Sequence, residues 1–166
     1  MKFYNKNNDI INIKSVEFEE QELVRKHIKK DDIVLELGAR YGSVSCIINN
    51  IINDKNNQVS VEPDPQVWTA LDKNIKFNKC DINIVKGFIS NQKLELQYSN
   101  DEYATTSILS DNSNIPSYTL TDIMTNEYKV IDLCFKSPVK LGPNGGSPVL
   151  CAKVGGKVVI LDGHHR

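Results

Sequence analysis

The chain has 166 residues, enough for one domain with a real core and too few for two full ones. Its 40% hydrophobic and 25% charged content is ordinary for a soluble globular protein. A net charge of -1 excludes a global field that would hold it on nucleic acid or an anionic membrane. No apolar run approaches the roughly 18 residues of a membrane helix. The polar start, residues 1–8, lacks the apolar centre of a signal peptide. The four cysteines, Cys46, Cys80, Cys134 and Cys151, are spaced too widely for CxxC or a zinc site. They read as reduced, mostly buried thiols of a cytoplasmic protein, with no metal.

Residues 10–16 alternate weakly, as a short edge strand does. Residues 17–28 read as a helix, with Glu17, Glu19 and Glu20 leading and Lys26, Lys29 and Lys30 following, as the helix dipole favours. Residues 33–37 form a short apolar run, the mark of a strand buried on both faces. Residues 43–53 then carry Val44, Ile47, Ile48, Ile51 and Ile52 as a helical stripe. A strand at 58–61, a helix at 67–77 and a strand at 82–85 complete a β-α-β-α-β alternation. That alternation implies a parallel sheet. Residues 94–97 read as another strand, 99–117 as a polar loop, 120–126 as a short helix and 128–134 as a fourth parallel strand. Beyond Phe135 most of the nine glycines gather. Strands at 149–154 and 157–161 flank Gly155-Gly156 as a hairpin would. The expected organisation is an α/β domain over 1–136, incomplete at its C-terminal end, followed by a glycine-rich hairpin tail over 137–166.

The chemistry concentrates between the first buried strand and the helix after it, in Glu36-Leu37-Gly38-Ala39-Arg40-Tyr41-Gly42. Gly38 lets the chain leave the strand with no Cβ in a ligand's way. Gly42 lets the next helix start close against the sheet. The unpaired N–H groups and positive dipole of that helix start suit an anionic group. The spacing is ExGxxxG, and Arg40 stands where a pyrophosphate site wants glycine, which counts against NAD and toward S-adenosylmethionine. Glu62 ends the second strand 20 positions after Gly42, placed to accept hydrogen bonds from ribose hydroxyls, with Pro63 and Pro65 fixing the turn behind it. Lys86-Gly87-Phe88 follows the third strand, near where an adenine lies in such folds.

These motifs resemble those of the FkbM-like methyltransferases. Val34-Leu35-Glu36-Leu37-Gly38-Ala39-Arg40-Tyr41-Gly42-Ser43-Val44-Ser45 is similar to that family's first motif, and Val61-Glu62-Pro63-Asp64-Pro65 to its second. Leu71, Asn74 and Asn78 resemble an LxxNxxxN helix, and Thr119-Leu120-Thr121-Asp122-Ile123 a TLDDL segment. The resemblance covers residues 31–125. It implies a Rossmann-like parallel sheet of the class I methyltransferase type, S-adenosylmethionine as cofactor, and O-methyl transfer to a small molecule or glycan. It carries cofactor contacts onto Glu36, Gly38, Ala39, Arg40, Tyr41, Gly42, Glu62 and Pro63, and by position onto Gly87 and Phe88. The sequence departs from the family pattern after residue 128. There Lys129 and Asp132 remain but the following Glu-Gly is lacking, which leaves Asp132 as the candidate base.

The tail, Val158-Val159-Ile160-Leu161-Asp162-Gly163-His164-His165-Arg166, is similar to the start of a ParB-like or sulfiredoxin-like nucleotide-binding module. That resemblance implies a phosphate held by Asp162, Gly163, His164, His165 and Arg166. Three functions therefore stand open: a methyltransferase, a truncated cofactor-binding domain without turnover, and nucleotide binding centred on the tail. No nucleic-acid signal appears outside the tail, and nothing indicates an oligomeric state.

Overall fold

The computed structural model describes residues 1–13, 16–99, 105–124, 133–134, 150–154 and 157–161. The chain order opens with β1 (Phe3–Tyr4), β2 (Ile10–Ile11), α1 (Phe18–His27), β3 (Val34–Leu37), α2 (Ser43–Ile51), β4 (Gln58–Glu62) and α3 (Pro65–Phe77). It continues with β5 (Asn83–Lys86), β6 (Phe88–Ile89), β7 (Leu94–Gln97), β8 (Thr106–Leu109), β9 (Ser117–Tyr118) and α4 (Leu120–Met124). The last strands are β10 (Leu133–Cys134), β11 (Leu150–Val154) and β12 (Lys157–Leu161). Six strands form the central sheet in the order β10-β11-β12-β3-β4-β5. β12, β3, β4 and β5 run parallel, as the β-α-β alternation requires. β10 and β11 add an antiparallel margin.

Side-chain alternation along β3 divides the core. Val34 faces Val24, Ile28, Val44, Ile47, Ile48 and Ile52, the stripes of α1 and α2. Leu35 turns to the opposite face, where it meets Val59 and Val61 with Leu120 and Ile123 of α4 packed over them. α3 begins two residues earlier than its apolar pattern indicates. Asp64 accepts the Gln66 N–H at 2.9 Å and Pro65 supplies a preset first turn.

Three expectations are corrected. The fourth parallel strand, expected at 128–134, is β12, which lies beside β3 with Ile160 opposite Glu36 and Leu161 opposite Leu37. Lys157-Val158-Val159-Ile160-Leu161 is a largely β-branched run, which a strand laid against a buried parallel neighbour favours. Leu133–Cys134 instead pairs antiparallel with β11. The loop expected over 99–117 contains β8, which pairs antiparallel with β7, and the start of β9, which pairs parallel with β6. Cys46 and Cys80 are not free thiols. They form a disulfide with Cα atoms 5.7 Å apart, within the ordinary span. A separation of 34 residues hid this pairing, because only the docking of α2 beside the turn after α3 brings the two together.

Asp132, and Asp162 with Gly163, His164, His165 and Arg166, lie outside the described residues. Among the described residues no helix is long and apolar enough to cross a membrane, and no group of three or more His, Cys, Asp or Glu side chains could hold a metal.

Candidate functional site

The three loops singled out by sequence converge at the carboxyl ends of β3, β4 and β5, where open α/β sheets bind ligands. A cavity of about 170 Å³ opens there, lined by Leu37, Gly38, Val61, Pro63, Gly87, Phe88 and Ile89, with Leu94 and Ser107 of the β7–β8 hairpin as its outer wall. Four of the ten expected cofactor residues thus share one wall. A larger groove of about 740 Å³ runs along β5, past Lys55, Asp81, Lys86 and Asp122. It contains none of the expected residues. Its lining is largely the outer edge of the sheet, so the strand-end cavity is the better candidate despite its size.

The loop 38–42 is held mainly by bonds to β4 and α3 and to the residue that ends β4. Gly38, at φ 87°, and Ala39 both donate their N–H to the Val61 carbonyl, at 2.8 and 3.0 Å. Arg40 adopts the left-handed conformation, φ 45°, and donates its N–H to Glu62 Oε2 at 2.6 Å. Its guanidinium lies 5.1 Å from the centre of the Tyr41 ring. The Tyr41 carbonyl accepts from Asn74 Nδ2 at 2.9 Å, and the Tyr41 ring is buried against Val67 and Ala70. Gly42, φ 81°, starts α2 so close to α3 that a Cβ would stand 3.0 Å from Leu71. Its role is thus helix-on-helix approach, where the sequence suggested approach to the sheet.

These bonds change the expected chemistry. The N–H groups of Gly38, Ala39 and Arg40, three of the expected cofactor-contact residues, have acceptors within the chain. At the start of α2 the Ser43 hydroxyl donates to the Glu17 carboxylate, so the chain supplies its own anion to the positive end of the helix. Glu62 is only 4% exposed. Its second oxygen accepts the Asp64 N–H at 2.7 Å. Burial raises its carboxyl to about 7, against the lowering effect of the Asp64 and Arg40 N–H groups. Glu62 therefore clamps the loop after β3 to the loop after β4.

Glu36 is also turned inward. It accepts from the Ser60 hydroxyl at 2.6 Å across the β3–β4 register, in a buried polar network. That network runs through Gln58, bonded to Ser60 at 3.3 Å, and Asn49, bonded to Gln58 at 3.1 Å and to the Asp81 carbonyl at 2.5 Å. Gly87 sits under β9. A Cβ there would stand 2.5 Å from the Pro116 carbonyl, the same oxygen that accepts the Phe88 N–H at 2.8 Å. Ser60, Gln58, Asn49 and the role of Asn74 were missed in the sequence, since single polar residues inside apolar runs announce no partner.

The position fits S-adenosylmethionine in part. Phe88, Ile89 and Pro63 give an apolar platform beside Gly38 and Gly87, where the chain approaches closely. The volume falls below the roughly 300–1,000 Å³ of small-molecule sites. A whole cofactor therefore requires the β7–β8 wall to move outward. That wall carries exposed Ile108 and Leu109, 42% and 64% accessible.

No protein-family model matches the chain, and no curated protein matches it. Among solved structures, the precorrin-6y C5,15-methyltransferase of Geobacter metallireducens GS-15 is similar over 47% of this chain and 40% of that one, at 21% identity and a TM-score of 0.39. A likeness of that size speaks to neither substrate nor residue roles.

Proposed function

We propose that the chain binds S-adenosylmethionine at the carboxyl ends of β3, β4 and β5 and serves methyl transfer. The observation that carries this reading is the shared cavity wall formed by Gly38, Pro63, Gly87 and Phe88, one loop from each of the three parallel strands. Phe88 and Ile89 would face the adenine, and Gly38 would allow close approach of the ligand to the backbone. Glu62 lies next to both loops. Each of its oxygens keeps a second lone pair, which a ribose hydroxyl would use after a small turn of the carboxylate.

The cofactor supplies an activated methyl group on a sulfonium. The protein's share is to align an acceptor with it and, for a hydroxyl acceptor, to take the proton. Asp132 is the residue we assign to that proton, and a small molecule or glycan hydroxyl is the acceptor class we favour, both from the family resemblance. Calorimetric titration of the chain with S-adenosylmethionine, with NAD and ATP as controls, tests the reading. Saturable binding of S-adenosylmethionine alone is expected, and Gly38→Arg should abolish it by filling the cavity and straining a left-handed backbone position. A folded chain that binds none of the three ligands would overturn it.

A further inference from the structure

We infer that the N-terminal β1–β2 hairpin is a strap that sets the ligand loop 38–42, with Asn74 as the positioning residue between them. A two-stranded hairpin has little stability of its own and takes its place from what it docks on. Here it docks along α3. Asn74, fully buried, treats Tyr4 as a neighbouring strand would. Its Oδ1 accepts the Tyr4 N–H at 2.9 Å and its Nδ2 donates to the Tyr4 carbonyl at 2.8 Å. The same Nδ2 donates to the Tyr41 carbonyl at 2.9 Å, so one amide holds strand and loop together. A second contact runs in parallel: Ile11 packs against the cluster of Tyr41, Val67 and Ala70.

Asn78, one turn further along α3, makes the same paired bonds to Lys2, at 2.9 and 2.8 Å, but reaches no loop residue by those bonds. It is the internal control. Because Arg40 is held in a left-handed conformation, the loop needs outside restraint, and the hairpin supplies part of it. Restraint before binding raises affinity. Coupling between two sites is reciprocal, so a ligand on the loop must in turn tighten the hairpin.

The binding arm of the test rests on the function proposed above; the exchange arm does not. In the ligand-free full chain, hydrogen exchange is measured at the Gly38, Ala39 and Arg40 amides relative to Val59 in β4. Asn74→Asp, which removes both donors, and Ile11→Ala should each speed loop exchange about fivefold, the scale of one lost hydrogen bond or contact. Asn78→Ala should leave it within about twofold of the wild type. Ile11→Ala stands if Asn74→Asp does not fold. Loop exchange that stays level with β4 in both variants, or that rises equally in Asn78→Ala, overturns the strap. In titration with S-adenosylmethionine the first two variants should weaken Kd by a similar factor, and the ligand should slow exchange at the Tyr4 amide. If the wild-type chain binds no S-adenosylmethionine, the functional reading fails while the exchange result still decides the strap.

Discussion

Glu62 shows how one side chain ties conformation to pH. Its folded carboxyl titrates at about 7, above its ordinary value of 4.5, because burial penalises the charge more than two N–H donors reward it. A raised folded value means that the folded state holds the proton more tightly. The stabilisation is therefore complete below pH 4.5 and is lost as pH rises through about 7. The full span is roughly 3 kcal/mol. Urea unfolding between pH 4.5 and 8 should show the wild type losing stability relative to Glu62→Gln, whose amide does not titrate. Parallel profiles for the two proteins would show that Glu62 is not the responsible group. Gly87 gives a second test at this scale. Gly87→Ala places a methyl 2.5 Å from the Pro116 carbonyl and 2.8 Å from the Tyr118 ring. Relief requires β9 to shift, at a cost of about 1–3 kcal/mol. Thermal unfolding should show a lower Tm, and an unchanged Tm would mean that β9 does not press on this turn as described.

Among elements, α2 and α3 carry most of the site's restraint. Gly42 lets the two helices approach, Asn74 reaches from α3 to the loop before α2, and the Cys46–Cys80 disulfide links α2 to the turn after α3. The disulfide encloses β4 and α3, including Glu62 and Asn74. Closing a loop of 34 residues stabilises the fold by about 3–4 kcal/mol in the chain-entropy treatment. Reduction, or Cys80→Ser, should lower Tm by roughly 10 °C. A Tm that is the same in oxidising and reducing buffer would remove the bond from the account. The elements themselves were largely legible. The stripe of Val44, Ile47 and Ile48 marked α2, and the apolar run ending at Leu37 marked β3. β8 was not legible. It carries Ser and Thr, is exposed along its whole length, and forms only because β7 offers it a ladder.

At the scale of the whole molecule, the decisive pairing is β12 with β3. The hairpin from the end of the chain closes one edge of the strand that carries Gly38. A chain ending before Leu150 would leave that edge of β3 open, a template for pairing with other chains. Size-exclusion chromatography should then show association or aggregation where the full chain does not. A well-behaved monomer would mean that β12 is dispensable.

By itself the sequence determined the β-α-β-α-β order, the strand-end loops and the glycines at 38, 42 and 87, because periodicity and backbone freedom are local properties. The tertiary structure alone decided that Cys46 meets Cys80, that β12 lies beside β3, and that Glu36 and Glu62 turn inward onto Ser60 and the Arg40 N–H. Each of these joins residues more than twenty positions apart. Buried polar groups take whichever partner packing brings within reach, and no local pattern records that choice.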